Sequence, residues 1–399
     1  MSLPLNGYRI LDLTNVLSGP FCCHQLAHMG AEVIKVENRK GGDLARQLGA
    51  DPELIKRFMG ISYLAQNAGK RSVTIDLKQE KGKALFRRLV RTADVVVENF
   101  RPGVMTRLGL GYEDLLKDNP RLVYCAISGF GQDGPLKDRP AYDQIIQGMS
   151  GVMSVTGAPD TAPYRVGYPV ADTVGGLTAA FAVAAALADR KRETGIFLDV
   201  SMLAATMVSM AWAISNKLIA GQEPQPMGNE NVTASPSGTF KTGGGLLNIS
   251  ANKQEQFEAL CTAVGRPDIH ADPRFHARHD RLRNRYELKA ELETALASKS
   301  ADEWCEVLNA VGVPSGPVYS VSQALAQPQI VQRDMTSTFP DVPGVGRDLH
   351  LVRTGVKVNG ATPAVDIPPR QLGADNREVY GELGLADDEI EALRAEGVI

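Results

Sequence analysis

The chain lacks most of the features that mark a function directly. Cysteine is scarce: five of 399 residues, Cys22, Cys23, Cys125, Cys261 and Cys305. They form no C-x-x-C pair and no His/Cys spacing of a zinc site. Their odd number and apolar settings predict buried free thiols in a reducing compartment. Charge of one sign is missing too, because 43 basic against 46 acidic residues leave a formal net charge of −3. That excludes a polyanion such as nucleic acid held by bulk charge; any anion must be bound by a few local Lys and Arg. No G-x-S-x-G elbow offers a serine nucleophile. Repeats and low-complexity segments are absent. Residues 1–9 contain no apolar core of a signal peptide, and the apolar run Thr173–Ala188 falls short of the ~20 residues that span a bilayer. The expectation is a cytoplasmic protein, with no membrane partner, in which that run is a buried helix. Histidine is sparse as well. His24 and His28 have the i,i+4 spacing of a helical metal pair, but no H-E-x-x-H acid lies between them, so neither is expected to bind metal.

What is present is ordinary globular composition, 43% hydrophobic and 22% charged, in a chain long enough for two domains. Tyr8–Leu13 reads as a strand, Phe21–Met29 as a helix ended by Gly30, and Ala31–Glu37 as a second strand. The turn between them, Asn15-Val16-Leu17-Ser18-Gly19-Pro20, has no G-x-G-x-x-G, and Pro20 removes a phosphate-facing N–H, which argues against a dinucleotide site. Alternation continues through Arg71–Leu77, Lys78–Ala93, Asp94–Val97, Tyr112–Lys117, Leu122–Ile127 and Ile196–Val200. It predicts an α/β fold with a mostly parallel, Rossmann-like sheet. After the Pro/Gly/Asn-rich stretch 221–231, Gly243-Gly244-Gly245 between two apolar runs signals a hairpin, with helices at Gln254–Val264 and Ala301–Val311. The predicted organisation is a large domain over 1–224, a smaller inserted α+β domain over 225–325, and a return to the large domain over 326–399.

The segment Val170-Ala171-Asp172-Thr173-Val174-Gly175-Gly176 sets one carboxylate at the mouth of an Ala/Leu/Val helix. Two roles are open. Asp is a favoured N-cap and is stabilised there by the helix dipole. Local physics favours that cap; the sharper alternative is a carboxylate placed as a nucleophile, with Gly175 and Gly176 leaving room for a substrate to approach the backbone.

Ligands of open α/β sheets bind beyond the carboxyl ends of the strands. Those ends carry Val16–Pro20, Glu37–Asp43, Glu98-Asn99-Phe100-Arg101-Pro102-Gly103 and Ser128-Gly129-Phe130-Gly131, with the basic turn Asn67–Ser72 preceding a strand. Together they supply amides, N–H groups and cations suited to a phosphorylated, partly apolar ligand. These motifs, with Ile10–Thr14, Gly30–Glu37, Leu108-Gly109 and Asp172, make the chain similar over essentially its whole length to the class III CoA-transferases. That family includes formyl-CoA:oxalate and carnitine CoA-transferases and the α-methylacyl-CoA racemases.

The resemblance implies an interlocked homodimer, acyl-CoA and a carboxylic acid as substrates, no resident cofactor, and Asp172 as catalytic nucleophile. By position it implies CoA contacts at Val16, Leu17, Asn67, Ala68, Lys70, Asn99, Phe100, Arg107, Tyr142 and Met202, with Arg107 as phosphate partner. Asn38 stands where formyl-CoA enzymes have arginine, and Arg39 is the candidate replacement. Tyr142 occupies the position of the racemases' histidine, which leaves two-base chemistry without its imidazole. Leu17 replaces a glutamine of the formyl-CoA:oxalate group, so the likeness is closer to succinyl-CoA-dependent enzymes acting on dicarboxylic acids. Arg46 and Arg165 are candidates to hold a distal carboxylate, or are structural ion pairs. The alternatives are a racemase and an acyl-CoA-binding protein without catalysis.

Overall fold

A computed structural model describes residues 2–399. Six strands, β1 (Arg9–Asp12), β2 (Glu32–Glu37), β3 (Lys70–Thr74), β4 (Val95–Glu98), β5 (Val123–Ser128) and β6 (Ile196–Ser201), form one sheet in the order β3-β2-β1-β4-β5-β6. Every pairing is parallel. This is the doubly wound order whose direction reverses between β1 and β4, where a crevice opens at the carboxyl ends of the strands.

The strands are buried on both faces and read as near-continuous apolar runs, β4 being Val-Val-Val-Glu. Alternate residues serve opposite cores. Leu11, Ile34, Val73 and Val96 pack under the helix Glu80–Val90 and the C-terminal residues Tyr380, Ile390 and Val398. Ile10, Val33, Val95 and Cys125 pack under the first helix, Ser18–His28, and the Asp172 helix, Val170–Ala188. All five cysteines are free, four of them buried. His24 and His28 lie edge to face at 4.6 Å between ring centroids. Burial, with the neighbouring imidazole, pushes His24 down to about 3; burial brings His28 to about 4. Both rings are neutral core residues, and no cluster of three or more His, Cys, Asp or Glu able to hold a metal occurs among the described residues.

The chain divides into two units. One comprises residues 1–152, 165–222 and 331–399 and contains the six-stranded sheet. The other comprises 153–164 and 223–330; relative to the sequence expectation it adds 153–164. It holds the expected hairpin, β7 (Ser237–Lys241) and β8 (Leu246–Ser250), which β9 (Ser315–Pro317) extends to an antiparallel three-stranded sheet. Phe240, Leu247, Phe257, Leu292 and Trp304 fill its separate core.

The Asp172 helix has 19 residues and is long and apolar enough, by length and composition, to cross a membrane. One side of it, including Ala171, Gly175, Gly176, Ala179 and Val183, is buried in the core. Leu177 and Phe181 on the other side are exposed, as are Val208, Trp212, Leu218 and Ile219 on the two helices that follow β6.

Candidate active site

Three strand-end loops and the mouth of the Asp172 helix enclose a cavity of about 300 Å³. The loop after β1 contributes Asn15, Val16, Leu17 and Ser18. That after β4 gives Asn99, Phe100, Arg101 and Pro102, and that after β5 gives Ser128, Gly129, Lys137, Arg139, Pro140, Ala141 and Tyr142; Leu44, Ile127, Asp172 and Met202 complete the wall. Asp172 is the single carboxylate among these residues, and no imidazole lines the space.

The helix begins at Val170, so Asp172 is its third residue and not its cap. Pro169 stands at the cap position and gives no side-chain bond. Capping comes instead from Asp143, whose Oδ1 accepts from the N–H groups of Ala171 (2.9 Å) and Asp172 (3.3 Å). Asp143 Oδ2 accepts from Gln147 Nε2 at 2.6 Å. The cap is thus supplied from another element, and the Asp172 side chain is left to face the cavity. Burial, then the like charge of Asp143, raises the Asp172 carboxyl to about 7, opposed by a hydrogen bond with Ser18. The expected stabilisation of the charged form by the helix dipole is therefore outweighed by desolvation and a neighbouring anion.

Gly175 and Gly176 serve helix packing, not substrate access. Both are buried, and a Cβ on Gly176 would come within 2.4 Å of the Ser18 carbonyl oxygen, one on Gly175 within 3.0 Å of Met202. Without side chains the helix can lie against the first turn of the Ser18–His28 helix, which brings Ser18 to Asp172. That first helix has no side-chain cap, and its first residue, Ser18, lies in the cavity wall.

The turn that starts it is strained. Val16 has φ +66°, a region that β-branched residues rarely occupy. Its N–H donates to Asp43 Oδ1 at 2.8 Å. On one side Asn15 N–H donates to Asn99 Oδ1 and Asn99 Nδ2 returns a bond to the Asn15 carbonyl, each 2.8 Å. Asp43 in turn ends a buried ionic chain. Lys70 Nζ donates to Asp12 Oδ2 (2.8 Å), the Pro20 carbonyl (2.9 Å) and Asn67 Oδ1 (2.9 Å). Lys35 Nζ lies 3.0 Å from Asp43 Oδ2 and 3.9 Å from Asp12 Oδ2. Despite the cost of burial, Lys35 and Lys70 hold the Asp12 carboxyl below its usual value.

Several expectations change accordingly. Val16, Leu17, Asn99, Phe100, Tyr142 and Met202 come together with Asp172 around the cavity. Asn67, Ala68 and Lys70 do not: they are at most 1% exposed, and the Lys70 ammonium is spent on Asp12. Arg46 is structural. It is fully buried, with Nε and Nη2 each 2.7 Å from Glu37 and its guanidinium 3.7 Å from the centre of the Tyr63 ring. Arg165 is exposed and lines neither this cavity nor the neighbouring one. Arg39 lines a different cavity, with Lys40, Thr74 and Arg394.

A second cavity of about 260 Å³ shares the walls Asn15 and Phe100 with the first. Leu13, Val36, Ile75, Leu77, Val104 and Leu108 give it apolar walls, while Thr14, Glu37, Asn38, Asp76 and Lys78 stand at its polar side. Arg107 is exposed on the short helix Val104–Arg107 that supplies one wall. Sequence reasoning missed Ser18 and Asp143 as partners of Asp172 and Lys137 and Arg139 as wall residues. Asp143 follows Tyr142, at the position of the racemases' histidine, and Lys137-Asp138-Arg139 is a basic pair in a Gly/Pro-rich loop.

Comparison with known proteins bears on this geometry. The profile of CoA-transferase family III matches residues 5–376. The chain is 42% identical over 334 residues to an acetyl-CoA:oxalate CoA-transferase of Acetobacter aceti, covering 83% of this chain and 85% of that protein. It is 36% identical to a succinate–glutarate CoA-transferase of Agrobacterium fabrum, over 95% and 96% of the two chains. The crystal structure of a CAIB/BAIF family protein from Brucella suis superimposes with a TM-score of 0.84 at 34% identity, covering 96% of this chain and all of that one.

Proposed function

The chain belongs to CoA-transferase family III and moves CoA between an acyl-CoA and a carboxylic acid, and from that premise we propose Asp172 as its nucleophile. A carboxylate oxygen of Asp172 attacks the thioester carbonyl, the C–S bond breaks, and a mixed anhydride and CoA thiolate result. The thiolate attacks the aspartyl carbonyl, releasing the donor acid and leaving an aspartyl-CoA thioester. The acceptor carboxylate then repeats these steps in reverse, and Asp172 returns as a carboxylate with no net proton transfer. Dividing the exchange in this way replaces one poor displacement by easier ones.

The single observation that carries the assignment is a lone carboxylate in the cavity wall, which burial and the like charge of Asp143 raise to about 7. Poor stabilisation of its anion makes it a stronger nucleophile than a paired carboxylate such as Asp12. The uncapped N–H of Ser18 suits the oxyanions that form at each step. CoA is long enough to use both cavities, its adenine in the apolar one, its phosphates near Lys78 and Arg107, and its pantetheine passing Asn15 and Phe100 to Asp172. The named relatives act on oxalate and on glutarate, and we take the donor as succinyl-CoA and the acceptor as a small dicarboxylic acid. A racemase is disfavoured because no imidazole lines the cavity.

The exposed Leu177, Phe181, Val208, Trp212, Leu218 and Ile219 form an apolar surface of the kind a second copy covers, which supports the homodimer. Sedimentation of the full chain tests that. For the chemistry, intact-protein mass spectrometry after incubation with succinyl-CoA should show a CoA adduct that Asp172→Ala lacks, with exchange down at least about 10³-fold. Equal exchange by the two proteins would sink the mechanism.

A further inference from the structure

Resting on the transferase assignment above, we propose that Lys137 and Arg139 select dicarboxylic substrates by binding the carboxylate remote from the reacting one. Both residues line the Asp172 cavity on the loop that follows β5. Both are exposed, and neither side chain has a hydrogen-bond or ion-pair partner among the described residues. Asp138, which separates them in sequence, does not line the cavity. Cationic side chains at a cavity wall with no protein anion to neutralise them leave a positive potential that a ligand must satisfy. Asp172 is the one anion in that wall, and it becomes acylated during the reaction, which removes its charge.

The chemistry sorts what can fill this need. The reacting carboxylate of an acceptor must meet the aspartyl carbonyl and is consumed there, so it does not neutralise the cations. A second carboxylate on the same molecule does, and arginine presents paired N–H donors matched to it. CoA phosphates are the other anions available. Those lie toward the nucleotide end, where the second cavity has Lys78 in its wall and Arg107 on the helix beside it. Lys137 and Arg139 stand instead, with Arg101, in the wall of the cavity that Asp172 lines, where the thioester must come. The buried Arg46 cannot serve, since Glu37, Tyr63 and the Phe58 and Arg370 carbonyls occupy it.

The experiment compares wild type with Lys137→Gln, Arg139→Gln and the double variant. Three readouts are taken: KM for labelled glutarate with succinyl-CoA, KM for labelled butyrate with butyryl-CoA, and Kd for CoA by calorimetry. The double variant is expected to raise the KM for glutarate about 10- to 100-fold, as for losing charge-assisted hydrogen bonds to a carboxylate. Its KM for butyrate should be unchanged or lower, and its Kd for CoA within about twofold of wild type, given that rim cations away from a ligand change its affinity little. Equal losses for glutarate and butyrate would overturn the proposal, and so would a Kd for CoA weakened as much as the KM for glutarate. A wild type that exchanges monocarboxylic acids only would overturn this proposal and leave the transferase standing. A wild type that binds CoA and exchanges no acid would overturn both.

Discussion

Two charged regions lie side by side at the carboxyl edge of the sheet and obey opposite rules. Around Asp12 every charge is buried and answered: Lys70 on Asp12, Lys35 between Asp12 and Asp43, Arg46 on both oxygens of Glu37. Around Asp172 charges are left unanswered. The carboxylate has another carboxylate, Asp143, as its charged neighbour, and Lys137 and Arg139 have no anion. Buried charges persist only when paired, because desolvation is otherwise too costly. The first region therefore fixes a conformation. The second carries a desolvation cost at Asp172, which acylation would relieve on the mechanism proposed above. Pairing separates scaffold from chemistry more sharply than charge or burial alone.

The largest effect should come from breaking the paired region. Lys70→Met removes the ammonium that Asp12, the Pro20 carbonyl and Asn67 all use, leaving Asp12 with Lys35 at 3.9 Å. Loss of one partner of a buried pair costs about 3–5 kcal/mol, read as a lower urea midpoint. By contrast Lys137→Gln, from the unpaired region, should stay within about 0.5 kcal/mol of wild type. Similar losses in the two variants would erase the distinction.

The two regions were also unequally legible in the sequence. Alternating apolar runs located the sheet, and the motifs at its strand ends located the cavity, because both are local patterns. Pairing is not local. Lys70 sat in a basic turn that read as a CoA contact, and only the register of β3 beside β2, which sets Lys70 opposite Val33, turns it inward to Asp12. Arg46 could not be told from a substrate-binding arginine until Glu37, nine residues earlier and on β2, was seen to hold it. Asp172 stood out as a carboxylate at a helix mouth, yet the residue that caps that helix is Asp143, 28 residues before Ala171. Gly175 and Gly176 signalled a close approach correctly, but sequence could not say that the partner is a helix and not a ligand.

A second, smaller effect runs the opposite way. Asp172→Asn should destroy exchange while stabilising the fold. In the folded chain the carboxyl holds its proton to about pH 7, against an ordinary value of 3.8. The folded state therefore binds the proton more tightly than the unfolded one, and stability falls as pH rises between those values. Above pH 7 the full cost is present, and the amide variant escapes it. Its unfolding free energy at pH 8 should exceed wild type by roughly 1–3 kcal/mol, with the gain vanishing below pH 4. In the wild type, kcat/KM should fall about tenfold per pH unit below 7 as the nucleophile protonates. A variant less stable than wild type at pH 8 would mean that Asp172 is answered by a charge after all.

The smallest effect tests where the regions meet. Asp43 belongs to the paired chain through Lys35, and its other oxygen holds the Val16 N–H at the cavity wall. If the ionic chain maintains the strained φ of +66° at Val16, glycine at that position should need it less, since a left-handed φ costs an L-residue about 1–2 kcal/mol and glycine nearly nothing. A double-mutant cycle with Asp43→Ala and Val16→Gly isolates that link from the loss of the Lys35 pair, which is common to both backgrounds. Asp43→Ala should cost about 1 kcal/mol less in the Val16→Gly protein than in the wild type, measured by urea denaturation. Strict additivity would show that the Val16 turn stands without Asp43, and that the paired region does not hold the catalytic loop in place.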